Sequence, residues 1–148
     1  MINIFKPDFK NFEGVKPISI YVLRVYFALM FFMMGFTAWS HIVNHRGEWE
    51  PINAVTWCVW AAYATISGFG IYKTLKMLPI VLFMIFYKIL WLIVVAFPLW
   101  RTNKLIGSPS EELANIFIWA TLPIIFFPWI YFYNNFIKLS TKWQQIKI

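Results

Sequence analysis

The sequence predicts an all-α integral membrane protein in which four transmembrane helices form an antiparallel bundle. Hydrophobic residues make up 61% of the chain and charged residues only 13%, whereas about 25% of the residues in an ordinary soluble domain are charged. Four segments are apolar over the roughly 20 residues that a helix needs to cross a bilayer. None of them carries the polar stripe that recurs about every 3.6 residues in a water-soluble helix. A soluble bundle is therefore excluded, because its outer faces would lack polar residues.

The length of 148 residues indicates a single domain. Residues typical of helix termini lie beside several of the predicted spans. Pro51 and Pro79 suit the first turns of the second and third helices. The residues Ser108-Pro109-Ser110-Glu111 have the pattern of a capping box, so the fourth helix is expected to begin there. The predicted spans occupy about residues 18–39, 53–72, 78–99 and 113–136, and interfacial tails occupy residues 1–17 and 137–148.

The second predicted helix carries small residues at a spacing of four. Ala61 and Thr65 form one such pair, and Ala64 and Gly68 form another. This spacing allows the backbones of neighbouring membrane helices to approach closely. The pattern therefore predicts tight packing of the second helix rather than chemistry.

Basic residues are distributed unequally between the two sides of the predicted bundle. The side with both tails and the loop after the second span has eight of them, and the opposite side has three. Because cytoplasmic loops carry the excess of basic residues, both termini are expected in the cytoplasm and the multi-pass chain in the cell inner (plasma) membrane. The basic residues stand singly rather than in a stripe, so nucleic acid is not an expected partner. The eight residues are Lys6, Lys10, Lys16, Lys73, Lys76, Lys138, Lys142 and Lys147, and the three are Arg46, Arg101 and Lys104.

Lys88 lies deep inside the third predicted span, roughly 15 Å of helix from its start. An ionisable residue at this depth is costly, usually faces the interior of the bundle, and indicates a functional site. Pro128 lacks an N–H group and frees the carbonyl of Ile124 near the same depth. We expect the Lys88 amine to point toward this kink, with Thr65 not far away. A structural bridge and a role in binding a ligand or a proton both remain open.

Arg24 lies six residues inside the first predicted span. The favoured interpretation is that its long side chain reaches the inner headgroups. The alternative is an inward-facing arginine that meets the fourth helix near Tyr131 and Tyr133. Arg24 and Lys88 would then form a cationic interior suited to an anion or to a quinone carbonyl.

His41 and His45 lie four residues apart at the outer end of the first helix, and Glu48 follows closely. Two imidazoles at this spacing and a carboxylate can bind zinc or iron. The favoured interpretation is that both are interfacial histidines bonded to loop groups, so a metal cofactor is not expected. Cys58 is the only cysteine, which excludes an internal disulfide.

Known catalytic patterns are absent from the sequence. It contains no Gly-rich phosphate loop, no Ser-His-Asp arrangement and no paired intramembrane carboxylates, which are patterns that recur in hydrolases, NTPases and proton-coupled proteins. We therefore predict no independent catalytic activity and assign no catalytic residue.

The first span resembles the opening of DoxX-like membrane proteins. The residues that carry the resemblance are the pair Leu23 and Arg24, the bulky run Leu29-Met30-Phe31-Phe32, and Gly35. Members of that family are small four-helix proteins, so the length and the number of spans are similar as well. The resemblance implies a membrane subunit, which in some members is linked to thiosulfate-to-quinone electron transfer.

The expected function is accordingly that of a DoxX-like membrane subunit. Its interior cationic site would bind a quinone-like or other small hydrophobic ligand; the sequence does not identify a cofactor, and a quinone and a lipid are the two candidates. One alternative is an oligomeric transporter or channel, and another is a structural accessory subunit of a larger membrane complex. The expected partners are the lipid bilayer, further copies of the chain, or the subunits of such a complex.

Overall fold

The computed structural model describes residues 4–138 and consists of helices and connecting turns. Within that range no β-strand is found, and the one bridge of β type joins Asp8 to Val15. Three helices are long and apolar enough to cross a membrane, and a fourth span is present if a bent helix pair counts as one. The all-helical prediction is confirmed for the described residues, as is the presence of helices long and apolar enough to span a membrane. The helices are α1 (Pro17–Asn44), α2 (Pro51–Tyr72), α3 (Thr74–Arg101), α4 (Ser110–Ile125) and α5 (Trp129–Ile137).

Helices α1 and α3 are longer than the sequence predicts. Each contains 28 residues and is therefore roughly 42 Å long, which exceeds the roughly 30 Å thickness of a hydrocarbon core. Each also contains a π-helical turn, at Met30–Met34 in α1 and at Leu92–Ala96 in α3. The predicted boundaries follow apolar content, but backbone hydrogen bonds continue through polar residues such as Asn44, so the helices extend further.

Acidic side chains accept hydrogen bonds from backbone N–H groups at the start of α2 and just before the start of α4. The Glu50 carboxylate accepts hydrogen bonds from the backbone N–H groups of Ile52 at 3.2 Å and Asn53 at 2.7 Å, and Pro51 follows as the first helical residue, as predicted. The Glu111 carboxylate accepts the N–H of Gly107 at 2.6 Å. Helix α4 begins at Ser110, within the four residues where the sequence predicts its start.

The small residues of α2 allow α1 to pack closely on it. Gly35 of α1 lies against Ala64, whose Cβ is 3.8 Å from the position of a Cβ added to the glycine. A Cβ added to Gly68 would lie 2.9 Å from the ring of Phe31. The predicted packing role of Ala64 and Gly68 is thus confirmed, because both face α1.

The fourth predicted span is interrupted rather than continuous. Helix α4 ends in a 3-10 turn at Leu122–Ile125, and α5 leaves it at an angle of 75°. Pro123 and Pro128 both lack an N–H group, so the backbone loses two helical hydrogen bonds within a short distance. The kink predicted at Pro128 is therefore larger than one proline alone would produce.

The N-terminal segment, residues 4–16, forms a turn next to the start of α1. The Asp8 carboxylate accepts the N–H groups of Lys10 and Asn11 at 3.0 Å each and the Asn11 side-chain amide at 2.8 Å. These bonds, that of the Asn11 side chain foremost, lower the pKa of Asp8 below its ordinary value. Most of the predicted C-terminal tail, including Lys142 and Lys147, lies outside the described residues.

Candidate functional site

Lys88 occupies an aromatic enclosure in the interior of the helices. The side chain is 3% exposed, as expected for an interior cation, and its Nζ donates a hydrogen bond to the Met84 carbonyl at 3.2 Å. The same atom lies 4.4 Å from the ring centroid of Tyr87, 5.7 Å from that of Phe117 and 5.8 Å from that of Tyr63. Because the faces of aromatic rings attract cations, these rings stabilise the ammonium group without a carboxylate.

Three tyrosines extend this enclosure into a polar cluster that joins four helices. The hydroxyl groups of Tyr63 in α2 and Tyr87 in α3 are 3.0 Å apart. Tyr26 of α1 donates to the carbonyl of Ala120 in α4 at 3.3 Å. This carbonyl lies where the α-helical part of α4 ends, so it lacks the usual helical donor. The interior cluster is therefore defined by Tyr26, Tyr63, Tyr87 and Lys88.

The tyrosines of the interior cluster were not predicted as site residues from the sequence. A tyrosine that is buried in an apolar segment generally finds a hydrogen-bond partner for its hydroxyl group. Tyr26 and Tyr63, at 6% and 4% exposure, both satisfy that rule. Their position in the middle of predicted spans was the available signal.

The Lys88 amine does not bind the Ile124 carbonyl, the partner expected for it at the kink. Its hydrogen bond goes to Met84 of its own helix, whereas the Ile124 carbonyl accepts the Trp129 indole N–H at 3.3 Å and the Phe127 N–H at 3.4 Å. Because Pro128 has no N–H group, the Ile124 carbonyl lacks its helical donor. The break in the fourth span brings the Trp129 and Phe127 donors to this carbonyl instead.

Thr65 likewise makes no hydrogen bond to Lys88. Its hydroxyl accepts the Trp39 indole N–H of α1 at 3.0 Å and donates to the Ala61 carbonyl at 2.7 Å. Both hydrogen-bonding partners are therefore outside the interior cluster, and Thr65 instead ties α2 to α1.

Arg24 lines a cleft between the first turns of α1 and the connection from α2 to α3. The guanidinium Nε donates to the Thr74 hydroxyl at 3.4 Å, and that hydroxyl donates to the Gly70 carbonyl at 2.9 Å. The cleft has a volume of about 180 Å³. We call it the Arg24 cleft, and its charged or polar lining residues are Arg24, Lys73, Lys76, Glu13, Asn11 and Thr74.

Among the described residues, Arg24 makes no hydrogen bond to Tyr131 or Tyr133, the residues near which the alternative interpretation placed it. The Tyr131 hydroxyl donates instead to the Glu13 carboxylate at 2.8 Å, and Tyr133 is 56% exposed. The contact of Tyr131 thus attaches the N-terminal segment to α5 beside the Arg24 cleft.

Arg24 and Lys88 do not form one cationic interior. Arg24 contacts Thr74 at the start of α3, and Lys88 lies about four helical turns further along the same helix, which is roughly 21 Å. The aromatic enclosure surrounds one cation and the cleft contains the other. The two cations therefore belong to two separate sites.

His41 and His45 stack on tryptophans instead of converging on a metal. The His41 ring lies 3.8 Å from that of Trp57 and the His45 ring 3.6 Å from that of Trp49, measured between centroids. Glu48 approaches His45 with its backbone oxygen at 3.4 Å rather than with its carboxylate. Across residues 4–138, no three His, Cys, Asp or Glu side chains form a group that could hold a metal ion.

Comparison with known protein families, curated proteins and solved structures finds no match to this chain. The resemblance to DoxX-like proteins therefore stays a prediction. Of the residues that carry the resemblance, Arg24 lines the cleft and Gly35 packs α1 on α2. The geometry of the Arg24 cleft and the interior cluster is thus the basis for assigning a function.

Proposed function

We propose that the chain is a DoxX-like membrane subunit that binds a small amphiphile in the Arg24 cleft. The observation that carries the proposal is a cleft of about 180 Å³ lined by three cations, Arg24, Lys73 and Lys76, at one end of apolar helices. A polar or anionic head group would occupy the cleft. Its apolar body would lie along the surface of α1, where Tyr21 and Val25 flank Arg24 and are 47% and 60% exposed.

The interior cluster supports a structural role for Lys88 rather than a second ligand site. Its amine is hydrogen-bonded and surrounded by rings from three helices. A ligand would have to displace Phe117, which is 4% exposed, from its place on α4. A transporter or channel would need a continuous polar path, and the rings around Lys88 fill the centre of the described interior.

The proposed architecture is an antiparallel bundle of four spans in the plasma membrane, with α4 and α5 together forming the broken fourth span. Contacts of Phe27 with Gly70, of Phe31 with Gly68 and of Gly35 with Ala64 support opposite directions for α1 and α2. The distribution of basic residues supports cytoplasmic termini. The Arg24 cleft then lies at the level of the inner headgroups.

Cysteine labelling tests this orientation. Cys58 is exposed and is first replaced by serine, and the exposed residues Lys10 and Lys104 are then changed singly to cysteine. In intact cells, a membrane-impermeant maleimide is expected to label the Lys104→Cys variant. The Lys10→Cys variant should react only after the membrane is opened. The reverse pattern would contradict cytoplasmic termini.

Removing the guanidinium group of Arg24 is expected to abolish retention of the amphiphile. Native mass spectrometry of gently extracted full-length protein should detect a bound small molecule, either a lipid or a quinone. We expect the Arg24→Gln variant to lose it, because a hydrogen bond to a charged group contributes about 1.5–3 kcal/mol. The matched control is Arg101→Gln, since Arg101 is an exposed arginine at the other end of α3.

Two results would contradict the proposed function. One is the absence of any bound amphiphile from the unaltered protein, and the other is equal retention by the Arg24→Gln and Arg101→Gln variants. The same spectra report the number of copies and any stoichiometric partner protein. A partner without a bound small molecule would favour the structural accessory subunit.

A further inference from the structure

We infer that the head group recognised in the Arg24 cleft is a phosphate. This inference rests on the proposed function, because it names the chemical class of the ligand at the same site. The phosphate could belong to an anionic membrane lipid or to a soluble phosphate compound. Both sources present the same tetrahedral anion, and the experiment below separates them.

The charge of the cleft favours an anion over a neutral carbonyl. Arg24, Lys73 and Lys76 line it, and Glu13 is the one acidic residue of its lining. The Glu13 carboxylate accepts the hydroxyl of Tyr131 at 2.8 Å, so a donor already occupies part of its hydrogen-bonding capacity. Three cations and one carboxylate give the lining a net positive charge. This charge attracts an anion strongly, whereas a neutral quinone has no opposite charge to pair with it.

Arg24 has the hydrogen-bonding groups that phosphate recognition needs. Its Nε donates to Thr74, and within residues 4–138 the two terminal nitrogens of the guanidinium group have no protein acceptor. These nitrogens carry four of the five donors of an arginine. A planar fork of this kind binds phosphate oxygens in pairs, with geometry that a lone carbonyl oxygen does not match.

The start of α3 adds to the attraction of an anion. Thr74, Leu75 and Lys76 form the first turn of this 28-residue helix and also line the cleft. The first turn of a helix carries a partial positive charge, although the Lys76 N–H itself already donates to the Lys73 carbonyl at 3.0 Å. The basic side chains and this partial charge therefore attract an anion into the same cleft.

The depth of the cleft favours a membrane lipid as the source of the phosphate. In the proposed orientation the cleft lies at the inner headgroups, where lipid phosphates are concentrated and anionic lipids attract basic residues. Phe12 and Tyr72 line the cleft beside the cations, and Tyr72 is 82% exposed. An aromatic residue at this level suits contact with the glycerol and upper acyl region.

The test compares four probes on the full-length protein in detergent by native mass spectrometry. The probes are dioleoyl phosphatidic acid, oleate, decylubiquinone and inorganic phosphate. We expect phosphatidic acid to bind at least about tenfold more tightly than oleate or decylubiquinone, because the fork and both lysines contact its phosphate. Excess inorganic phosphate should leave the lipid bound if the source is a lipid, and should displace it if the source is soluble.

The variants of this test assign the binding to the cleft. The Arg24→Gln variant is expected to bind phosphatidic acid about tenfold or more weakly, and the Arg101→Gln variant as the unaltered protein does. A Lys73→Gln, Lys76→Gln double variant alters only exposed side chains and should weaken binding too. This double variant keeps the test decisive if the Arg24 variant does not fold.

The possible failures are distinguishable. If decylubiquinone or oleate binds as tightly as phosphatidic acid and depends on Arg24, the phosphate inference is wrong and the proposed function stands. If no probe binds in a manner that depends on Arg24 or the two lysines, both are wrong.

Discussion

Changing Phe27 to alanine is expected to lower the free energy of unfolding by about 3–5 kcal/mol, the range typical of a buried aromatic side chain. The Phe27 side chain is fully buried in α1 and belongs to the main cluster of core residues. It packs directly over Gly70 of α2, where an added Cβ would collide with its ring. Alanine would leave a cavity between α1 and α2 because the helix backbones cannot close it fully.

The reciprocal change at Gly70 tests the same contact. Gly70→Ala is expected to cost about 1–3 kcal/mol through overpacking, since its methyl group would meet the Phe27 ring. In the Phe27→Ala, Gly70→Ala double variant the methyl group occupies part of the cavity. The loss should therefore be smaller than the sum of the two single losses.

Unfolding in mixed micelles of a mild and a denaturing detergent measures these differences. The matched control is Phe36→Ala, because Phe36 belongs to the same helix but is 77% exposed, and a change within about 0.5 kcal/mol is expected. Losses that add fully in the double variant would contradict direct packing of Phe27 on Gly70.

Helix type and approximate span position follow from the sequence because the bilayer leaves the backbone few choices. Without water to accept hydrogen bonds, a spanning segment must satisfy its N–H and C=O groups internally. An apolar run of sufficient length therefore predicts a helix whatever its detailed side chains. The close approach at Ala64 and Gly68 is predictable for a similar reason, since only small residues permit it.

The partners of the polar side chains do not follow from the sequence in this way. They depend on how each helix is rotated about its axis, and an almost uniformly apolar helix gives a weak signal of that rotation. The burial of Lys88 was predicted from its depth, but its contact with Phe117 depends on the rotation of α4. The 75° bend also depends on Pro123 and Pro128 acting together, whereas the kink was predicted from Pro128 alone.

The Arg24 cleft illustrates the same limit. Lys73 and Lys76 entered the sequence analysis only as indicators of orientation, because nothing in the order of residues relates them to Arg24. Folding brings all three to the junction of α2 and α3. Three isolated cations thus become one site only when the positions of α1 and α3 are known.

Changing Lys88 to glutamate is expected to lower the free energy of unfolding by about 3–5 kcal/mol, the loss typical of an uncompensated buried charge. The carboxylate would face the rings of Tyr87 and Phe117 and the Met84 carbonyl, all of which attract a cation and repel an anion. Lys88→Met keeps a long unbranched stem and removes the charge. We expect it to match or exceed the stability of the unaltered protein, because burying the ammonium group has a desolvation cost that methionine avoids.

Ligand retention separates the structural role of Lys88 from a functional one. Since Lys88 lies roughly 21 Å along α3 from the residue that Arg24 contacts, the Lys88→Met variant should keep the amphiphile that Arg24→Gln loses. Native mass spectrometry and detergent unfolding of the same preparations measure both properties. A stable Lys88→Met protein that has lost the ligand would contradict the assignment of binding to the Arg24 cleft. A loss of stability as large as that of Lys88→Glu would instead mean that the contacts with Tyr63, Tyr87 and Phe117 outweigh the desolvation cost, so that the buried ammonium group is itself a net source of stability.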